Sequence, residues 1–186
     1  IHIALARVGM TDRQYDAIVV GAGAAGMMCA IAAGQRGARV LVLDHANKVG
    51  KKILMSGGGR CNFTNYFVTA DNFICANRHF SKSALSRYTQ WDFIEKVKQH
   101  NIEFFEKETV NGLSGQLFCQ ESSKRIVRML LQECSQTGVE IRTQCETSEV
   151  NKCEGFEVHT NQGQFQAETL VIATGGLSIP SLGGSG

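Results

Sequence analysis

Ala17-Ile-Val-Val-Gly21-Ala-Gly23-Ala24-Ala25-Gly26 is the stretch whose reading decides the fold. Asp16 to Val20 is a short apolar, β-branched run, the pattern of a strand buried on both faces. The glycine-rich turn follows at once. Met27 to Arg36 is then rich in Ala and Met, with no breaker before Gly34, which predicts a helix. Val40 to Leu43 reads as a second buried strand, and it ends in the carboxylate of Asp44. Strand, G-x-G-x-x-G turn, helix, strand and acid in this order describe a dinucleotide-binding βαβ unit. A Gly-rich turn in some other α/β protein is the alternative, and the flanking elements argue against it.

Each glycine has its own task in such a unit. Gly21 permits the tight turn out of the strand, Gly23 lets the backbone approach a pyrophosphate, and Gly26 lets helix and strand lie close. The free N–H groups of the first helical turn, at Ala24 and Ala25, face the diphosphate together with the positive end of the helix dipole. Asp44 lies 18 residues beyond Gly26, where a carboxylate accepts hydrogen bonds from the adenosine ribose. An acid there also repels a 2′-phosphate, so NADP is disfavoured at this site.

Composition narrows the class. The chain has 186 residues, 43% hydrophobic and 19% charged, enough apolar matter for a sizeable core. A net charge of +2 argues for neither nucleic acid nor an anionic membrane as an obligatory partner. No apolar stretch approaches the roughly 18 residues that cross a bilayer. Seven cysteines without a C-x-x-C pair or zinc-ligand spacing indicate a reducing, cytoplasmic setting and no metal site. The sequence starts at Ile1, with Met10 shortly before the first strand, and stops in Gly183-Gly-Ser-Gly186. These ends lead us to expect a disordered or non-native extension over 1–14, followed over 15–186 by the amino-terminal portion of a longer protein.

Beyond Asp44 the run Gly50-Lys51-Lys52-Ile-Leu-Met-Ser-Gly57-Gly58-Gly59-Arg60-Cys-Asn62-Phe-Thr-Asn65 reads as a basic, glycine-rich loop. Successive glycines can present their N–H groups as an anion-binding concavity. Arg60 adds a forked donor, whereas Lys51 and Lys52 fit a solvated face as well as a phosphate site. So many flexible residues cost entropy unless something organises them, and a ligand is the expected organiser.

These blocks, with Lys82-Ser-Ala-Leu-Ser-Arg-Tyr-Thr-Gln-Trp-Asp-Phe93, Gly115-Gln-Leu-Phe-Cys119 and Leu170-Val-Ile-Ala-Thr174-Gly175-Gly176, resemble the YhiN/BaiN-type bacterial flavoproteins. That family is known as NAD(P)/FAD-dependent or aminoacetone-oxidase-like oxidoreductases, within the glutathione-reductase-like superfamily. The resemblance runs from about Tyr15 to the end. It implies FAD as cofactor, with the pyrophosphate on the turn from Gly23 to Gly26 and the ribose on Asp44. It also implies that Lys51, Lys52 and Gly58 lie along the cofactor, and that the Thr147 backbone meets the adenine. Gly175 and Gly176 would let a strand end approach FAD, and Arg60, Cys61 and Asn62 would border its isoalloxazine; Gly59 and Thr174 are further expected cofactor contacts. The family often has Arg-Lys at 51–52, so Lys51 loses a bidentate phosphate contact here. Val110 to Ser114 looks like an inserted surface loop. The implied activity is hydride transfer between FAD and a small organic substrate or NAD(P)H.

The remaining elements fit a Rossmann-like α/β domain with a β-meander. Helices are expected over 81–88, 91–100 and 123–137, the last capped by Ser122 and stopped by Gly138. Strands are expected over 102–105 and 139–142; a hairpin joins 150–160 to 164–166; and a return strand covers 169–173. No residue acquires a catalytic acid or base role from sequence. Cys61 reads as packing, since its nearest downstream cysteine is Cys75. An NAD-dependent dehydrogenase built on the same βαβ unit and a non-catalytic FAD-binding sensor or scaffold remain open beside the oxidoreductase.

Overall fold

The computed structural model describes residues 14–176. The expected extension, apart from Gln14, and the glycine-rich end at 183–186 lie outside the described residues. Two compact units emerge, one from the residues up to Lys51 and from Leu130 onward, the other from Lys52 to Met129. The division falls inside two helices, α2 (Lys51–Met55) and α5 (Lys124–Gln136).

The first unit is built on β1 (Gln14–Val20), α1 (Ala24–Gly34), β2 (Val40–Leu43) and β6 (Glu140–Arg142), followed by β7 (Thr147–Lys152), β8 (Phe156–Thr160) and β9 (Gly163–Ile172). Its sheet runs β6-β2-β1-β9-β8-β7. The neighbours β6, β2, β1 and β9 are parallel, and β7-β8-β9 form an antiparallel meander. Gln14 already pairs with Gln166, so β1 begins inside the expected extension. Alternate residues of β1 and β2 feed two cores. Ile18, Leu41 and Leu43 meet Phe165 and Val158, while Val19, Val40 and Val42 meet Ala22 and Ala30. Burial on both faces is why these strands are continuously apolar.

Two expectations change in the meander. The stretch 150–160 is not one strand: β7 turns at Cys153–Gly155 into β8. Residues 164–166 and 169–173 instead belong to the single strand β9, which pairs with β8 from Gly163 to Ala167 and with β1 from Gln166 to Ile172. No turn former separates them, so one strand serves both ladders.

The second unit holds the antiparallel sheet β3-β5-β4, from β3 (Asn62–Asn65), β4 (Phe104–Thr109) and β5 (Gly112–Cys119). Residues 110–114 are the β4–β5 hairpin turn and the start of β5. Helix α3 (Lys82–Arg87) precedes α4 (Gln90–Gln99), and α4 begins on a reciprocal Thr89–Asp92 capping box. Phe63 of β3 packs against Phe93 of α4 and Phe104 of β4, with ring centroids 5.9 and 5.6 Å apart. The expected loop over 50–65 is also structured. It contains α2, a 3₁₀ turn over Ser56–Gly59 and β3.

Candidate functional site

The C-terminal ends of β1, β2 and β9 meet where the chain order reverses across the sheet, β2 lying on one side of β1 and β9 on the other. Open α/β sheets bind ligands at such switch points. A cleft of about 430 Å³ lies here, lined by Val20, Gly21, Asp44, Glu146, Thr147 and Thr174 among others. That volume falls within the range of small-molecule sites.

The turn is fixed by backbone and carboxylate together. Gly21 donates its N–H to the Leu43 carbonyl at 2.7 Å, and Ala173 donates to Val20 at 2.8 Å. Asp44 accepts from the Ala22 N–H at 2.7 Å and from the Ala46 N–H at 2.8 Å, one through each oxygen. Each carboxylate oxygen keeps a further lone pair, so the acid can brace the turn and still accept from a ligand. Gly50 donates to the Ala22 carbonyl at 2.9 Å, which ties the approach to α2 to the same turn.

The three glycines of the motif differ in what surrounds them. A Cβ on Gly21, whose φ is +111°, would collide with the Ala173 carbonyl, and one on Gly26 would collide with the Gly21 carbonyl. Protein packing alone demands glycine at both. Gly23 is different. Its φ of −84° suits any residue, and nothing lies within 4 Å of where its Cβ would be. Open space over the N-terminal turn of α1 is what an approaching diphosphate needs. The Thr147 Oγ1, in the cleft wall, is buried without a hydrogen-bond partner among the described residues. A buried hydroxyl in that state is costly.

Gly21, Asp44, Thr147 and Thr174 therefore share one cleft. Gly23, Ala24, Ala25 and Gly26 form the entry to α1, and Gly175, with φ +81°, follows β9. Lys51 and Lys52 open α2 and are exposed. Gly58, Gly59, Arg60 and Asn62 belong to the second unit. Sequence reading missed His45, Cys145 and Glu146 in the cleft wall. Their only signal was position, directly after the ends of β2 and β6.

In the second unit Gly57, Gly58 and Gly59 have φ of +56°, +64° and +86°, a left-handed run costly to any other residue. Part of the expected ordering by a ligand comes from the protein itself. Gly57 sits where a Cβ would lie 2.6 Å from the Phe118 ring. Cys119 donates to the Arg60 carbonyl and Ser123 to the Gly59 carbonyl, both at 2.8 Å. The Arg60 and Cys61 N–H groups close back on Gly57 and Ser56, so they are not presented to an anion. Gly58 has open space around it. The Arg60 guanidinium lies 5.5 Å from the Phe105 ring centroid. Cys61 and Cys119 are buried, and burial pushes both thiols up, Cys119 to about 12 with a further contribution from Cys61. Neither is poised as a thiolate nucleophile.

Comparison with known proteins follows the same outline. The chain is 52% identical over 173 residues to the ribosomal RNA dihydrouridine synthase of Escherichia coli, covering 92% of this chain and 42% of that protein. It is 27% identical over 172 residues to the 3-dehydro-bile acid delta(4,6)-reductase of Clostridium scindens, covering 90% and 41%. The chain thus spans about two fifths of the length of these curated relatives. The glycine oxidase of Geobacillus kaustophilus shares the fold, with a TM-score of 0.63 at 17% identity over 88% of this chain and 56% of that one. The architecture is therefore the Rossmann-like fold of flavoprotein oxidoreductases, and the family described as the HI0933-like protein Rossmann domain, matched over residues 15–186, is the one to which this chain belongs.

Proposed function

We propose that this chain is the nucleotide-binding portion of an FAD-dependent reductase that saturates a carbon–carbon double bond conjugated to a carbonyl, with uridine in ribosomal RNA as substrate. The observation that carries the cofactor is Gly23, a motif glycine that neither its backbone angles nor its neighbours require. The turn from Gly23 to Gly26 would hold the pyrophosphate, Asp44 the ribose, and Thr147 the adenine end. Lys51, Lys52, Gly58, Gly59, Arg60, Asn62, Thr174 and Gly175 are proposed as further contacts on the strength of the family resemblance. FAD bound there supplies hydride chemistry. The chain's own residues neutralise the diphosphate by backbone N–H groups, orient the ribose and close the adenine end.

The substrate class rests on the relatives. One is named for making dihydrouridine in ribosomal RNA and the other for reducing a bile acid. The ring C5–C6 bond of uridine is conjugated to the C4 carbonyl, and a delta(4,6) dienone is likewise conjugated. One hydride and one proton added across such a bond give the saturated product, and a reduced nicotinamide leaves as its oxidised form. These activities take the place of aminoacetone oxidation as the finer reading. The full-length protein, purified and reconstituted with FAD, is expected to show flavin absorbance that NADH or NADPH bleaches. It is expected to form dihydrouridine in ribosomal RNA, read by mass spectrometry. Absence of flavin after reconstitution would overturn the cofactor, and flavin without reduction of RNA would overturn the substrate.

A further inference from the structure

Residues 72–91 hold Arg78, Lys82 and Arg87, with His79, and no Asp or Glu. Their formal charge is +3, whereas the whole chain carries +2, so the basic character of this protein is concentrated there. Among the described residues none of these three cations is in an ion pair. The same run displays its apolar groups. Phe73, Phe80, Tyr88 and Trp91 are exposed, Ile74 fully so, and Phe67 stands just before them.

Packing does not hold this segment, because every residue from Asp71 to Phe80 is exposed. Local hydrogen bonds do. Thr69 and Asn72 form a reciprocal box, and Asn77 accepts from the His79 N–H at 3.0 Å and the Phe80 N–H at 2.9 Å. The Trp91 ring stacks on Tyr66 with centroids 5.4 Å apart, and the Gln90 side chain fixes the Tyr66 carbonyl at 2.9 Å. The rings are thus presented in ordered positions without being consumed by a core. A single exposed ring is ordinary. Several rings on one short segment with three cations and no carboxylate match a stacking platform beside a phosphate path.

We propose that the segment from Asn72 to Trp91 is a docking surface for single-stranded RNA. Its exposed rings take unstacked bases, and Arg78, Lys82 and Arg87 take phosphates. This deepens the RNA-reductase reading and rests on it. A base must leave its stack for its ring to be reduced, so the substrate offers free π-faces. A protein partner fits less well, since three cations without acids on the same segment would be desolvated uncompensated. A polyanion compensates them.

The test uses the full-length protein and a fluorescent 20-nucleotide oligouridine, with double-stranded RNA of equal length as comparison. Reversing the charges together (Arg78→Glu, Lys82→Glu, Arg87→Glu) is expected to weaken oligouridine binding at least tenfold. It should also lower the salt slope by about 2, from three phosphate contacts at about 0.7 each. Phe73→Ala with Phe80→Ala is expected to weaken the single strand more than the duplex, by about 5-fold or more per lost stack. Flavin content and bleaching by nicotinamide should stay as in the parent, and Arg78→Lys with Arg87→Lys should restore most of the affinity. Unchanged affinity in the variants, or a parent that does not bind RNA, overturns the proposal. So does a drop in melting temperature with RNA binding retained, which would mark the face as one covered by the rest of the protein. The two readings separate. Dihydrouridine formed by variants with parental affinity overturns only the docking surface. Affinity lost as expected, in a parent that makes no dihydrouridine, overturns only the activity.

Discussion

Gly23 and Gly26 look alike in the motif and differ physically. Gly26 has no room for a side chain, because the Gly21 carbonyl occupies the Cβ position. Gly26→Ala is therefore expected to destabilise the protein by about 1–3 kcal/mol or more through overpacking, read as a lowered urea midpoint. Gly23 is the N-cap of α1 and has open space. Gly23→Ser supplies a good cap, so the midpoint should stay or rise slightly, while FAD affinity falls at least tenfold by fluorescence titration. Equal loss of stability at both positions would contradict the distinction. Asp44 braces the turn and is the proposed ribose contact. Asp44→Asn turns one accepting oxygen into a donor facing a backbone N–H, and should cost about 1.5–3 kcal/mol from a charge-assisted bond and weaken FAD as well. The need for glycine at Gly21 and Gly26 was legible in the spacing. That Asp44 also braces the turn through Ala22 and Ala46 was not, since hydrogen-bond partners depend on where β2 ends.

Among the elements, βαβ boundaries were legible because two-sided burial leaves an unbroken apolar run, as in Val40–Leu43. The meander was harder to read. β9 carries an alternating pattern where it pairs with β8 and an apolar one beside β1, so a single strand reads as two. The segment 50–65 looked like loop because left-handed glycines conceal a 3₁₀ turn, which is ordered by Phe118, Cys119 and Ser123 from far along the chain. Helix α4, by contrast, announces its start. The Thr89 side chain accepts from the Asp92 N–H, and the Asp92 carboxylate accepts from Thr89. Thr89→Ala should cost about 1 kcal/mol, seen as faster amide exchange in the first turn of α4. The hydrogen bonds from Thr89 hold the Asp92 carboxyl below its usual range. A depressed carboxylate stabilises above its unfolded value, so this contribution fades as pH falls through the folded one.

Across the molecule, both units bury groups that resist deprotonation. Burial, and then the hydrogen bond to Glu140 at 2.7 Å, pushes the Tyr15 hydroxyl up to about 12. Burial likewise raises Cys134 to about 11, with Glu133 adding to it, and Cys119 to about 12. Folded values above the unfolded ones mean that this stability is full below the unfolded values, near 9 for the thiols and 10 for tyrosine. It is lost as pH rises toward 11–12. The urea midpoint should be level from about pH 7 to 8.5 and decline above 9; a midpoint that held to pH 11 would contradict the burial of these groups. At neutral pH, exposed Cys75 and Cys153 should react with a thiol reagent well before buried Cys61, Cys119, Cys134 and Cys145. The whole-chain charge of +2 suggested no nucleic-acid partner. A sum over the chain cannot register that residues 72–91 contain cations and rings but no acid.

By itself the sequence determined the βαβ unit, the acid at the end of β2 and the family, because each depends on residue type at fixed short spacing. Only the tertiary structure decided which motif glycines the protein needs for its own packing and which one it leaves open. Only the fold brought Thr147 and Thr174, which are far apart in the chain from Gly21, into one cleft. Only it showed that the rings of Phe73, Phe80, Tyr88 and Trp91 are exposed. The physical reason is the same in each case. Spacing fixes what a residue can do locally, whereas open space, burial and hydrogen-bond partners are set by segments that meet only after folding.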